Sequence, residues 1–331
     1  MKNSEKSTLI NYSQPTTLAK RPNLTTLSLI AGMALMAFMT VTASAQVTWG
    51  TAKKLSGAGY AARIAVDGQN AVEVHQLSSG SGKLEYRTGK VTTTGAVTWN
   101  AVHKYDSGLA PSVALSGSNV VEIHEETGGE IWYHTGQLLA TGTIEWAAAI
   151  NLEAGYAPSV AASGTQVIEV HQASQSNPSA LWYKSGQFNP NGTITFSAAT
   201  QYDDGFAPAV ALAGATIVEV HEGASGALWY NSATVKAGNS ISFLEKGQFD
   251  SGYAPTVAIA GPTIMEAHQA DEGEGPMWYR TGLLQSNGTI VWGSSADYQS
   301  GALPAIAIAG PDVLEVHQGN SGTLWSLAGQ F

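Results

Sequence analysis

The pattern Glu-x-His occurs six times at nearly even intervals, and this recurrence limits the possible folds more than any other feature of the chain. The copies read AVEVHQ, VVEIHE, VIEVHQ, IVEVHE, IMEAHQ and VLEVHQ, with histidines at 75, 124, 171, 221, 268 and 317. Successive steps are 49, 47, 50, 47 and 49 residues. A fixed period of this length marks a repeat architecture, in which each unit buries its apolar face against the next.

One period holds four short β-like runs. In the second copy they are PSVALS (111–116), VVEIHE (120–125), IWYHTGQL (131–138) and TIEW (143–146), separated by Gly, Ser, Asn and Thr clusters. Four strands in about 40–50 residues is the composition of a propeller blade. The expected fold is therefore all-β: a six-bladed β-propeller over residues 46–331, with four antiparallel strands per blade. The innermost run opens on Pro111, Pro158, Pro208, Pro255 and Pro304, with Ala62 in the first copy. Proline is tolerated at the first residue of a strand.

The chain ends predict how the ring closes. The last copy stops after its third run, which carries Trp325. Val47-Thr48-Trp49 matches Val97-Thr98-Trp99 and Ile290-Val291-Trp292, so it reads as a fourth strand with no first three before it. It is expected to complete the last blade and so remove the exposed sheet edges.

Residues 1–45 read as a signal peptide. Lys2, Lys6, Lys20 and Arg21 precede an uncharged apolar run over residues 27–41, and Ala43-Ser44-Ala45 offers a cleavage site. That run is short of the ~20 residues a spanning helix needs. The expectation is an exported protein, extracellular or periplasmic, with no membrane span in the mature chain. Loss of the leader removes four basic groups and one acid, so the formal charge goes from −10 to −13. An acidic chain without a Lys/Arg cluster argues against nucleic acid and anionic lipid as partners. Cysteine is absent, which excludes disulfides and thiolate metal sites.

A second period lies within the first. From each Glu-x-His histidine to the aromatic position of the third run, the separations alternate as 10, 8, 11, 8, 10 and 8. Odd copies place Tyr60, Tyr156 and Tyr253 before the inner run, where even copies are read as Leu109, Phe206 and Leu303. Slightly upstream, even copies have Tyr105, Tyr202 and Tyr298 against Leu55, Leu152 and Phe249. After the third-run aromatics, odd copies carry Arg87, Lys184 and Arg280, and even copies His134, Asn231 and Leu327. This predicts three two-blade units and two classes of site.

Strand residues two apart share a face. Glu73 and His75, Glu122 and His124, Glu169 and His171, Glu219 and His221, Glu266 and His268, and Glu315 and His317 therefore form six same-face pairs. A buried carboxylate needs a partner, so one reading is a structural network repeated in every blade. The other is ligand binding, since such groups beside aromatic faces suit sugars, which stack on rings and bond through hydroxyls. On that reading the contacts are Tyr60, Tyr156, Tyr253, Gln76, Gln172, Gln269, Trp182 and Trp278. A strand pair supplies two ligands where a structural zinc takes four, so no metal or cofactor is expected. Every candidate acid or base in these pairs is present six times, and no nucleophile elbow, His-Glu-x-x-His or phosphate loop occurs. Non-catalytic binding is the expectation.

With these repeats and this closure, residues 46–331 resemble the secreted bacterial and fungal β-propeller lectins, whose six- and seven-bladed members bind fucose or related sugars between blades. The resemblance is one of architecture and transfers no residue. It implies glycan partners held at several sites, where multivalency raises avidity. The alternatives are an envelope scaffold with a protein partner, and a polysaccharide-active hydrolase or lyase.

Overall fold

The computed structural model describes residues 46–331 apart from 81 and 177; the expected signal peptide lies outside the described residues. Each Glu-x-His copy lies on a strand buried on both faces, such as Asn119–Glu126 and Gln166–Gln172. Val120, Val121 and Ile123 are at most 1% exposed. This double burial explains why the segment reads as a continuous apolar run rather than an alternating one.

The second repeat shows the plan. Its inner strand is the end of His103–Ser116, followed by Asn119–Glu126 and Glu130–Leu138, all antiparallel. The outer strand is in two pieces. Ile144–Trp146 pairs with residues 136–138, and Ile150–Ala154 pairs with residues 130–133. The sequence reading stopped this strand at Trp146. The second piece, INLEA, is short, mostly polar and interrupted by a register shift, so its periodicity is weak.

The strands form three sheets of nine, nine and eight, each containing an odd repeat and the even repeat that follows it. In each sheet one long strand serves both repeats: His103–Ser116, Thr200–Ala213 or Ala296–Ala309. The strands leading into odd repeats are instead broken at a glycine, as between Ile150–Ala154 and Tyr156–Ser163. The alternation visible in the sequence is thus expressed as paired repeats. Each inner strand packs on the next, and Ala296–Ala309 packs on Tyr60–Asp67.

Thr48–Trp49 and Lys53–Ala58 supply both pieces of the last outer strand. Thr48 pairs with Gln330 and Trp49 with Gly329, then Lys54 pairs with Trp325. Trp49 stacks on Tyr298 with ring centroids 5.0 Å apart and meets Tyr279 edge-on at 5.6 Å. Trp146 stacks on Tyr105 at 5.1 Å in the same way. Apolar side chains of adjacent repeats interlock inside this belt, as when Val121, Ile123 and Ile131 pack with Val160 and Val167.

Every repeat enters its inner strand through a bulge containing a non-glycine residue in the left-handed region. These are Ala61, Ala110, Ala157, Ala207, Ala254 and Leu303, with φ between 43° and 52°. The register corrects one sequence alignment. Ala302, not Leu303, follows Gly301 and pairs with Gln318, and Leu303 takes the position held by alanine elsewhere. No helix among the described residues is long and apolar enough to cross a membrane.

Candidate functional site

All six Glu-x-His pairs adopt one geometry. The histidine Nδ1 lies 2.9–3.1 Å from the nearer oxygen of its glutamate in every repeat. The pairs are almost wholly buried. The ring edge rests on the backbone of the glycine that precedes the inner strand. A Cβ on Gly155 or Gly205 would stand 2.6 Å from the Cδ2 of His171 or His221. Burial pulls the His171 imidazole down, but the Glu169 hydrogen bond and charge outweigh it, and the net value is raised. His124, His221 and His268 are raised through the same balance. Burial holds Glu169, Glu266 and Glu315 above the ordinary carboxylate value.

The alternating residues place a second charged or polar group near these acids. In odd repeats it is a cation. Arg87 Nε donates to Glu73 at 2.8 Å, Lys184 pairs with Glu153 at 3.2 Å beside Glu169, and Arg280 pairs with Asp250 at 2.6 Å beside Glu266. In even repeats it is a phenol. Tyr298 donates to Glu315 at 3.2 Å, and Tyr105 and Tyr202 stand beside Glu122 and Glu219. Burial, then the adjacent carboxylate, pushes all three phenols well above their usual value, so they remain protonated.

The glutamines read as sugar contacts are occupied at both ends by backbone. Gln76, Gln172 and Gln269 accept from the N–H of Ala110, Ala207 and Leu303 in the next repeat at 2.6–2.7 Å. Their amide nitrogens donate to the carbonyls of Ser78, Ser174 and Asp271. In this arrangement they clamp the left-handed bulge of the neighbouring repeat. Glu125 and Glu222 do the same for Ala157 and Ala254.

Tyr60, Tyr156 and Tyr253 are half-buried and lie against turn glycines of the preceding even repeat, Gly322, Gly129 and Gly226. They occupy the even-to-odd junctions at the level of these turns. Trp182 and Trp278 are half-buried opposite His171 and His268.

Open space occurs at both classes of junction. A cavity of about 410 Å³ between repeats 6 and 1 is lined by Lys54, Ile64, Trp99 and Leu327. Further hollows lie at odd-to-even junctions, where no tyrosine stands before the inner strand. Between repeats 5 and 6 a cavity of about 510 Å³ is lined by Lys54, Glu274, Gln299, His317, Asn320 and Trp325. Small Ala302 stands where Phe206 does between repeats 3 and 4. Gln299 occupies the position of Asp106, Glu153, Asp203 and Asp250 in four of the five other outer strands, so this cleft presents an uncharged amide where those carry an acid. Between repeats 1 and 2 the equivalent hollow, about 400 Å³, is lined by Lys83, Ser107, Leu109, Glu126 and Thr127. Sequence reasoning missed the cleft between repeats 5 and 6 because its walls come from four separated stretches, around Lys54, Glu274, Gln299 and His317–Trp325.

No protein-family model matches the chain, and no curated protein matches it. Among solved structures it is similar to Trypanosoma rangeli sialidase in complex with the inhibitor DANA: TM-score 0.56, 12% identity, covering 83% of this chain and 55% of that one. The same sialidase as a covalent intermediate with 2,3-difluorosialic acid gives a TM-score of 0.57 at 12% identity, covering 84% and 54%. A mutant of Aleuria aurantia lectin in complex with Fucalpha1-6GlcNAc also gives 0.57 at 12% identity, covering 83% of this chain and 93% of the lectin. The chain spans about half the length of the sialidases. These neighbours are β-propellers, and at this identity the likeness shows the fold: an all-β protein of propeller architecture.

Proposed function

We propose that the chain is an exported, non-catalytic glycan-binding protein built as a six-bladed β-propeller. On this reading each Glu-x-His repeat is a four-stranded blade, and Thr48–Trp49 with Lys53–Ala58 closes the last one. Export rests on the leader sequence. The reading of function rests most on the cleft between repeats 5 and 6. It joins an indole face, Trp325, to neutral and cationic hydrogen-bonding groups from Gln299, Asn320, His317 and Lys54. An aromatic wall for the C–H face of a pyranose and convergent donors for its hydroxyls are what a sugar pocket of this size requires. Among the lining residues Glu274 is the one carboxylate, whereas glycosidic cleavage ordinarily uses two flanking the bond. Binding without turnover fits that lining better. The lectin neighbour, solved with Fucalpha1-6GlcNAc, makes this the first ligand class to test.

A glycan array probed with the protein should show binding, and Trp325→Ala should weaken it at least about tenfold, roughly the loss of one stacking contact. Far-UV circular dichroism should be unchanged. An array without signal from a folded protein rejects the proposal, as does a Trp325→Ala variant that binds like the parent.

A further inference from the structure

Repeat 2 alone carries a histidine, His134, where the other repeats have Arg, Lys, Asn or Leu. It creates a constellation found at no other junction among the described residues. His134 Nδ1 lies 2.8 Å from the carbonyl of Ala147. A carbonyl only accepts, so Nδ1 carries the hydrogen, and Nε2 of the neutral ring presents a lone pair. That lone pair points at a second acceptor, the Asp106 Oδ2, 2.6 Å away. His124 repeats the arrangement. Its Nδ1 is held by Glu122 at 3.0 Å, so the nitrogen it offers is Nε2. One ligand atom from each of Asp106, His124 and His134 lies within 4.8 Å of the other two. The two imidazole rings stack with centroids 5.9 Å apart.

A lone pair and a carboxylate oxygen 2.6 Å apart call for a cation, and His124 stands within reach of both. We propose that Asp106, His124 and His134 bind a divalent transition-metal ion at the junction of repeats 1 and 2. Two imidazole nitrogens and one carboxylate suit zinc, nickel or copper and leave a coordination position for water. Both rings have their other nitrogen fixed by an oxygen acceptor, the outer-shell arrangement that sets the tautomer of metal-bound histidine. Bonds of about 2 Å would set the ligand atoms about 3.3 Å apart. Asp106 has 29% of its side chain exposed and provides both the adjustment and the entry side.

The neighbouring repeats show what fills this position otherwise. At Glu153, Glu169 and His171 the Lys184 amine sits 3.2 Å from Glu153, so a protein cation stands where the ion would be. In repeat 4, Asn231 spans Asp203 and Glu219 at 2.9 and 3.0 Å. The rival occupant in repeat 2 is a second proton on His134, giving an imidazolium paired with Asp106.

Calorimetric titration of the metal-stripped full chain with zinc should give one site per chain. Copper(II) substituted into it should show two nitrogen ligands by electron paramagnetic resonance. His134→Asn copies the residue that repeat 4 uses, so it is expected to fold, and it should lose at least tenfold in zinc affinity. Asp106→Asn should lose a similar factor. Absence of zinc binding by the parent chain overturns the proposal, as does zinc affinity unchanged in both variants. A His134 ring seen by nitrogen NMR to hold two protons in saturating zinc assigns the site to the proton and likewise overturns it.

Discussion

Gly155 and His171 form a single packing unit, although 16 residues separate them in the chain. The glycine is present because the ring edge lies where a side chain would begin. Gly155→Ala would place a methyl 2.6 Å from both His171 Cδ2 and Ile131 Cδ1, and the ring cannot move without breaking its bond to Glu169. Overpacking of this kind costs about 1–3 kcal/mol. Thermal denaturation should show a clear loss for Gly155→Ala and almost none for Gly80→Ala, where nothing lies within 4 Å. At this scale the sequence was legible where side chain meets side chain. The Glu-x-His pairing and the exchange of Arg or Lys for Tyr were both visible as patterns, and both groups stand near the buried carboxylate, with Arg87 donating to Glu73 and Tyr298 to Glu315. Gln76 was not legible. Its partner is the backbone N–H of Ala110, and a backbone group leaves no trace in composition, so a committed amide reads like a free one.

At the scale of the strand, repeat 4 tests the rule. Four of the five other repeats have a third-strand glycine under an outer-strand tryptophan and one has it under Phe196, as at Gly136 beneath Trp146. Repeat 4 has Ala233 opposite Phe243, and its outer strand runs unbroken over Ile241–Ser251 with a register shift at Ala233. A larger residue beneath the ring goes with a different course of the strand. Outer strands are also where the sequence was least legible: three-residue pieces such as Ile144–Trp146 are found by their tryptophan, whereas pieces such as Ile150–Ala154 have no such marker. Trp49 is the ring that fixes the closing strand, touching Tyr279 and Tyr298. Trp49→Ala removes both contacts and should lower stability by about 3 kcal/mol, the low end for deleting a large aromatic. Chemical denaturation measures it, and a change below about 0.5 kcal/mol, the range of ordinary surface substitutions, would show that the strand contributes little to closure.

For the whole molecule, the buried pairs act together through pH. His124, His171, His221 and His268 are each held above the ordinary imidazole value of 6.5 by their glutamates. A raised folded value means the folded state keeps protons that the unfolded chain releases. The stabilisation is complete below about pH 6.5 and is lost as pH rises through the folded value. The raised carboxyls Glu169, Glu266 and Glu315 have the same sign, beginning from 4.5. Asp203 has the opposite sign. Burial alone would raise it, but Lys246 and Asn231 bring it below 3.8, so its contribution is lost as pH falls through that depressed value. The melting temperature should therefore peak on the acid side of neutrality and decline between about pH 6 and pH 9. A melting curve that is flat or rising over that interval removes the protonated pairs from the account of stability.

The pairing of Thr48 with Gln330 also sets an order of events. The two partners are 282 residues apart in sequence, and an ordering cost that grows with the length of chain between them makes this contact a late one in folding. Until it forms, the strand Thr323–Gln330 keeps an open flank. A second copy offering its own Thr48–Trp49 could occupy that flank, which makes this seam the place where exchange between molecules would begin.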